Sequence, residues 1–177
     1  MTFSRPSTPL WDDSTAMPEF QPLATNTSCE VAIVGAGITG LTAGYYLAKE
    51  GKEVLILDDG ALGGGQTKRT TAHITSFLDR RYEELVRIFG EAKATKIAAS
   101  QIEAVSEIGH IVALERIDCD YSHVDAFLLL GQQDKTETLF QEMQAMQNIG
   151  FNNVVFGETS LWSHREIPYL ICLLYTS

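Results

Sequence analysis

Two short apolar runs, Val31-Ala32-Ile33-Val34 and Val54-Leu55-Ile56-Leu57, flank a stretch where Leu41, Tyr45 and Leu47-Ala48 form an apolar stripe. Runs this short and aliphatic predict buried parallel strands. The stretch between them, Thr39 to Glu50, predicts a helix that Gly51 ends. Strand, helix and strand within about 30 residues make one βαβ unit. Asp58-Asp59-Gly60 stops its second strand.

Further along the periodicity changes. Tyr82 to Phe89 predicts a short helix ending at Gly90, and residues 91–115 a long one, with Ala94, Ile97, Ile102, Val105, Ile108 and Val112 near a 3.6 period. Segments 117–121 and 126–130 predict two short strands about a turn at Ser122-His123. Residues 134–149 predict an amphipathic helix facing inward through Leu139, Met143, Met146 and Ile149, and Val154-Val155-Phe156 predicts a strand. These later strands are expected to begin a second sheet. Before the first strand, residues 1–28 hold Pro6, Pro9, Pro18 and Pro22 among serines and threonines, so neither helix nor central strand is expected there. Trp11 and Phe20 are the large side chains expected to pin this leader to the body.

With 177 residues, 45% of them hydrophobic, the chain suits about one globular domain or a domain and a part of another. The net charge of −10 argues against a phosphate-backbone partner and against an anionic membrane surface. No run approaches the uninterrupted apolar length of a membrane span, and Asp12, Asp13 and Glu19 interrupt the region where a signal peptide would lie. Cys29, Cys119 and Cys172 lack metal-type spacing. Reduced thiols, and hence a cytoplasmic location, are expected.

The chemistry concentrates in VAIVGAGITGLTAG, where Gly35, Gly37 and Gly40 form G-x-G-x-x-G and Gly44 adds one helical turn. Gly35 permits the tight turn out of the strand. Gly37 lets a pyrophosphate approach the backbone, and Gly40 lets the helix pack closely on the strand. The helix would then direct its free N–H groups and positive dipole end at the phosphates. Asp58, at the end of the second strand, is placed to accept from adenosine ribose hydroxyls. A carboxylate there disfavours a 2′-phosphate, hence NADP, but leaves FAD and NAD both open. The loop GGGQTKRTTAHIT, residues 63–75, adds close backbone approach at Gly63-Gly64-Gly65, hydroxyls at Thr67, Thr70 and Thr71, and positive charge at Lys68 and Arg69.

Taken with these motifs, STPLWDD, TTAHIT, YEELVRIFG and DCDYSHVDAFLL make the chain resemble flavoproteins of the glycine/D-amino-acid-oxidase type. Within that family it is similar to bacterial FAD-dependent oxidoreductases that carry a C-terminal Rieske iron–sulfur domain. The likeness runs through roughly residues 7–160, and TTAHIT after a glycine loop is its narrowest element. It implies an α/β fold: a partial Rossmann-like FAD/NAD(P)-binding domain followed by the start of an α+β substrate domain. It implies FAD held at its pyrophosphate by the backbone of Gly35, Ala36, Gly37, Ile38, Thr39 and Gly40, and at its ribose by Asp58. The family's usual acid there is Glu, one methylene longer. Gly65, Gln66, Thr67, Thr70, Thr71 and Ala72 would run toward the flavin. The implied reaction is oxidation of a small amine or amino acid by hydride transfer to flavin. In this subgroup electrons would pass on to an iron–sulfur centre beyond the present sequence. The competing reading is a non-redox dinucleotide-binding module or an NAD-binding accessory protein.

Other polar residues carry less. His73 lies in the flavin-proximal element but reads as a packing histidine. His110, His123 and His164 pair with no ligand at metal spacing. Arg80-Arg81 and the acids Asp118, Asp120 and Asp125 read as solvated faces, and no catalytic residue is assigned. Cys172-Leu173-Leu174-Tyr175-Thr176-Ser177 is encoded in order by one reading frame of a common transposase sequencing adapter. Residues 172–177 are therefore expected to be an artefactual tail, and the natural chain to continue past residue 171. The resulting division is a leader at 1–28, the FAD-binding βαβ unit and flavin-proximal loop at 29–75, and a helical segment opening the substrate domain at 76–171. Lacking the later strands, the 177-residue chain alone is expected to be inactive and marginally folded.

Overall fold

The computed structural model describes residues 16–131, 134–159 and 167–176. Trp11 and His164 lie outside the described residues. The chain forms two compact units, Met1–Thr71 and Ala72–Ser177. The break falls inside TTAHIT, slightly before the boundary at 75 that the sequence suggested.

The first unit is the βαβ unit. Strand β1 (Val31–Val34) pairs in parallel with β2 (Val54–Leu57), Val31 opposite Val54 and Val34 opposite Leu57, and helix α1 (Ile38–Lys49) connects them. Gly51, at φ +81°, provides the left-handed turn that releases the chain from the helix. The strands are not enclosed on both faces as their composition suggests. Along β1 half-buried and exposed residues alternate, and Val34 is 89% exposed. With two strands and one helix, only one face of this sheet has a cover within the unit. The leader residues from 16 to 28 form no helix or strand, as expected, but Phe20 does not pin them: it is 75% exposed.

The second unit starts with helices α2 (Tyr82–Phe89) and α3 (Glu91–Glu115), separated by Gly90 at φ +79°. Strand β3 (Ser122–Leu129), helix α4 (Thr136–Asn148) and strands β4 (Val155–Thr159) and β5 (Ile167–Thr176) follow. The strands form an antiparallel sheet in the order β3-β5-β4. Here two expectations fail. Residues 117–121 form no strand, because Arg116 and Asp120 both take left-handed backbone at φ +53° and break extended geometry. Ser122-His123 is therefore no turn but the start of one continuous strand. The sheet's central strand also includes positions 172–176 of the adapter-like tail. An aliphatic and aromatic run pairs in this way whatever its origin.

The core of this unit gathers Tyr82 and Leu85 of α2, Ala94 and Ala98 of α3, Leu139 and Met146 of α4, and then Ile149, Phe151 and Val154. Helix α3 buries Ala94, Ala98 and Val105 rather than the whole expected stripe; Ile102 is exposed. It is the one helix among the described residues long and apolar enough to cross a membrane by length and composition, and it also packs its N-terminal alanines into this core.

One polar side chain enters that core. Glu142 of α4 is 1% exposed, and its Oε1 and Oε2 accept the Tyr82 and Glu83 N–H groups at 2.8 Å each. It thus caps the N-terminus of α2 from another element, where Arg81 contributes no side-chain cap. Arg81 instead pairs with Asp134 at 2.9 Å. Burial raises the Glu142 carboxyl above its ordinary value of 4.5, against the pull of the Glu83 and Tyr82 amides and Arg81. A raised folded value means that this group's contribution to stability is complete below pH 4.5 and is lost as the pH rises through the folded value. Denaturant titrations from acid to neutral pH should therefore show wild type losing stability relative to Glu142→Gln as pH rises. Glu142→Ala, which strands both amides, should cost about 1–3 kcal/mol at neutral pH.

Candidate functional site

The site is built on the turn from β1 into α1. Gly35, at φ +106°, reverses the chain there, and its N–H donates to the Leu57 carbonyl at 2.7 Å, locking the turn to β2. A Cβ on Gly40 would overlap the Gly35 carbonyl oxygen, and one on Gly44 would stand 2.7 Å from Ile56 Cδ1. Both glycines therefore set how closely α1 lies on the strands. Gly37 differs. Its backbone is ordinary, φ −82°, and a Cβ there would meet only Thr67 Oγ1, at 3.4 Å. What it leaves open is the space before the helix.

That space is a cleft of about 850 Å³. On one wall lie Gly35, Gly37, Ile38, Thr39 and Gly40; on the other lie Gly65, Gln66 and Thr67; Asp58 stands at the end of β2. Nine of the sequence-predicted residues thus line one cavity. Ala36 is buried behind the turn, where its N–H donates to Asp58. Thr70 and Thr71 close the first unit outside the cleft lining, and Ala72 opens the second unit with left-handed backbone at φ +58°. His73, the best histidine candidate, also belongs to the second unit.

Two side chains tie the cleft together in ways the sequence did not reveal. Asp58 Oδ2 accepts the Ala36 N–H at 2.6 Å, and Oδ1 accepts the Gly60 N–H at 2.8 Å. These amides, Ala36 first, hold the Asp58 carboxyl below its ordinary value of 3.8, against a small opposing effect of burial. The tie contributes above pH 3.8 and is lost as the pH falls through the lowered value. The Ile38 N–H donates to Thr67 Oγ1 at 3.0 Å, so a loop hydroxyl caps α1, whose N-cap residue Gly37 has no side chain for the task. The position of Asp58 after the glycine motif, and for Thr67 the family resemblance, marked them as expected cofactor residues. Their hold on the turn needs the loop's path, which no local pattern encodes. Lys68 also lines the cleft and adds positive charge beside the helix N-terminus.

Among the described residues no group of His, Cys, Asp and Glu could hold a metal ion. The arrangement suits an extended anionic ligand: a helix N-terminus without acid in its first turn, glycine backbone on both walls, hydroxyls, a lysine, and the acids Asp58 and Asp59 set apart after the second strand. A pyrophosphate flanked by a ribose has the groups to complement this set.

A βαβ unit with this glycine turn and a carboxylate closing its second strand defines a dinucleotide-binding protein. More narrowly, the DAO family of FAD-dependent oxidoreductases matches residues 30–168, and the chain belongs to that family. It is 34% identical over 140 residues to YhfW of Bacillus subtilis (strain 168), named as a Rieske 2Fe-2S iron–sulfur protein; the match covers 79% of this chain and 28% of YhfW. It is 24% identical over 131 residues to gamma-glutamylputrescine oxidoreductase of Escherichia coli (strain K12), covering 74% of this chain and 30% of that protein. The L-amino acid deaminase from Proteus vulgaris shares the fold with a TM-score of 0.59 at 18% identity, over 88% of this chain and 36% of the deaminase. The chain thus spans about a third of the length of these proteins. Family membership favours the FAD oxidoreductase reading over an accessory module.

The two kinds of glycine should separate in experiment. Gly40→Ala drives a methyl into backbone and should destabilise the first unit by about 3 kcal/mol or more. Gly37→Ala meets only a hydroxyl and should leave folding close to wild type. Circular dichroism and limited proteolysis of the two variants check this.

Proposed function

We propose that this chain is the FAD-binding portion of an oxidoreductase that takes a hydride from a small amine or amino acid. The observation that carries this reading is the cleft: a glycine-walled helix N-terminus with Asp58 at the adjoining strand end, in a chain of the FAD-dependent family. In this reading the amides of Gly37, Ile38, Thr39 and Gly40 hold the pyrophosphate, and Gly35 and Ala36 shape the turn beneath it. Asp58 accepts from the adenosine ribose through lone pairs not engaged by Ala36 and Gly60. Gly65, Gln66 and Thr67 cover the phosphates, and the segment Thr70, Thr71, Ala72 leads toward the flavin. FAD, when bound, supplies the hydride acceptor. The chain's own residues bind it, orient it and keep water from its phosphates.

The names of relatives support the substrate class. Gamma-glutamylputrescine oxidoreductase and L-amino acid deaminase are named for an amine and an amino acid. The name of YhfW supports onward transfer of electrons to a Rieske 2Fe-2S centre in a part of the protein beyond this sequence. The unpaired thiols of Cys29 and Cys119 suit a reducing cytoplasm.

The intact protein should copurify with noncovalent FAD. Heat-released flavin should gain fluorescence on phosphodiesterase treatment, as FAD does and FMN does not. Gly37→Val should abolish FAD binding without unfolding the chain, and Asp58→Ala should weaken binding by less. A colourless protein that cannot be reconstituted, or equal and negligible effects of both substitutions, would overturn the assignment.

A further inference from the structure

Given the reading of the cleft as a dinucleotide site, on which this inference rests, we propose that Thr67 is a specificity-determining latch. Its hydroxyl holds an N–H of α1 that only an anionic acceptor, such as a phosphate, takes from it. Every residue involved lies in the first unit.

Ile38 is the first residue of α1, so its N–H has no carbonyl partner within the helix. It donates instead to Thr67 Oγ1 at 3.0 Å. The same oxygen stands over Gly37, where a built Cβ would lie 3.4 Å from it. The Thr67 hydroxyl thus sits beside the backbone that a pyrophosphate must approach. The Ile38 amide carries one proton, and the hydroxyl and a phosphate oxygen compete for it.

The competition is uneven. Thr67 Oγ1 is a neutral acceptor, whereas a phosphate oxygen is charged and makes a hydrogen bond roughly twice as strong. The positive end of the α1 dipole adds to the difference. The Ile38–Thr67 bond is exposed, so a released hydroxyl finds water in its place. A phosphate therefore displaces Thr67 and gives up only the strength of one neutral bond. An uncharged group is no better an acceptor than the hydroxyl already in place, and it leaves the latch closed.

The loop is built to release this one tie. Upstream it is anchored twice: the Gly60 N–H donates to Asp58 Oδ1 at 2.8 Å, and the Gly63 N–H to the Ala36 carbonyl at 2.9 Å. Between these anchors and Thr67 lies Gly65. A Cβ there would meet nothing within 4 Å, and its φ is not left-handed. Neither space nor a special turn requires glycine at 65, so what it supplies is freedom to move. Beyond it, Thr67–Arg69 form a single 3₁₀ turn closed by the Arg69 N–H on the Gln66 carbonyl at 3.0 Å, which moves as one piece.

The test uses the intact protein freed of cofactor, as wild type, Thr67→Ala and Thr67→Ser, with ADP and adenosine as probes. Calorimetric titration reads the two affinities, and amide hydrogen exchange reads Ile38. Thr67→Ala should speed exchange at Ile38 and tighten ADP binding by roughly three- to tenfold, with adenosine unchanged. Thr67→Ser, which keeps the oxygen, should restore the wild-type values. A hydroxyl that only donates to phosphate predicts the opposite sign. Weaker or unchanged ADP binding in Thr67→Ala, or an equal gain for adenosine, would overturn the latch and leave the dinucleotide reading intact. A wild-type protein that binds neither ADP nor FAD would overturn both.

Discussion

The first unit depends on a contact that two glycines make possible. Helix α1 begins so soon after β1 that the Gly40 backbone lies on the Gly35 carbonyl, with no room for a side chain between them. One turn later Gly44 lies close to Ile56, where a Cβ would stand 2.7 Å from Cδ1. This approach places the first amides of α1 at the rim of the cleft rather than over the sheet, so the positive end of the helix faces an open space. With only two strands and one helix to pack, the unit has little hydrophobic cover. Side-chain ties from Asp58 and Thr67 to the same turn add to it. Geometry that shapes the fold here is also geometry that a phosphate needs.

The second unit follows a different rule. Its core is mostly aliphatic and aromatic, but the N-terminus of α2 points into it, and N-terminal amides have no partner within their own helix. Glu142 resolves this from α4. A buried carboxylate is costly, and this one is tolerated because both oxygens accept amides and Arg81 stands nearby. The same α2 terminus presents Tyr82 to the Ser76 carbonyl, so the core reaches the end of the TTAHIT element through one hydroxyl.

Membership of the FAD-dependent oxidoreductase family accounts for the order of these parts: a nucleotide-binding βαβ unit, a glycine and threonine loop, then helices and an antiparallel sheet. The cleft belongs to the first unit alone. Chemistry in such proteins resides in the cofactor, and the protein contributes placement. That is why glycines and backbone amides, rather than a cluster of titratable side chains, mark the site.

Much of this was legible in the chain. The apolar runs at 31–34 and 54–57, the helix between them and the helices at 82–89 and 91–115 follow from periodicity, because local burial alternates with the period of the element. The roles of Gly35 and Gly40 follow from spacing, because a tight turn and a close approach each forbid a side chain at a known offset. What required tertiary structure was every interaction between residues far apart in sequence. Glu142 reads as a polar residue beside an apolar stripe until α4 packs on α2, and that Asp58 also takes the Ala36 N–H shows only once β2 lies against the glycine turn. Ser122-His123 predicts a turn between strands at 117–121 and 126–130, whereas pairing with β5 makes 122–129 one continuous strand. Val34 reads as buried from its chemistry, and it is exposed because nothing within its own unit covers that face of the sheet. Composition records what a residue prefers, and only the packed chain determines which partners it has.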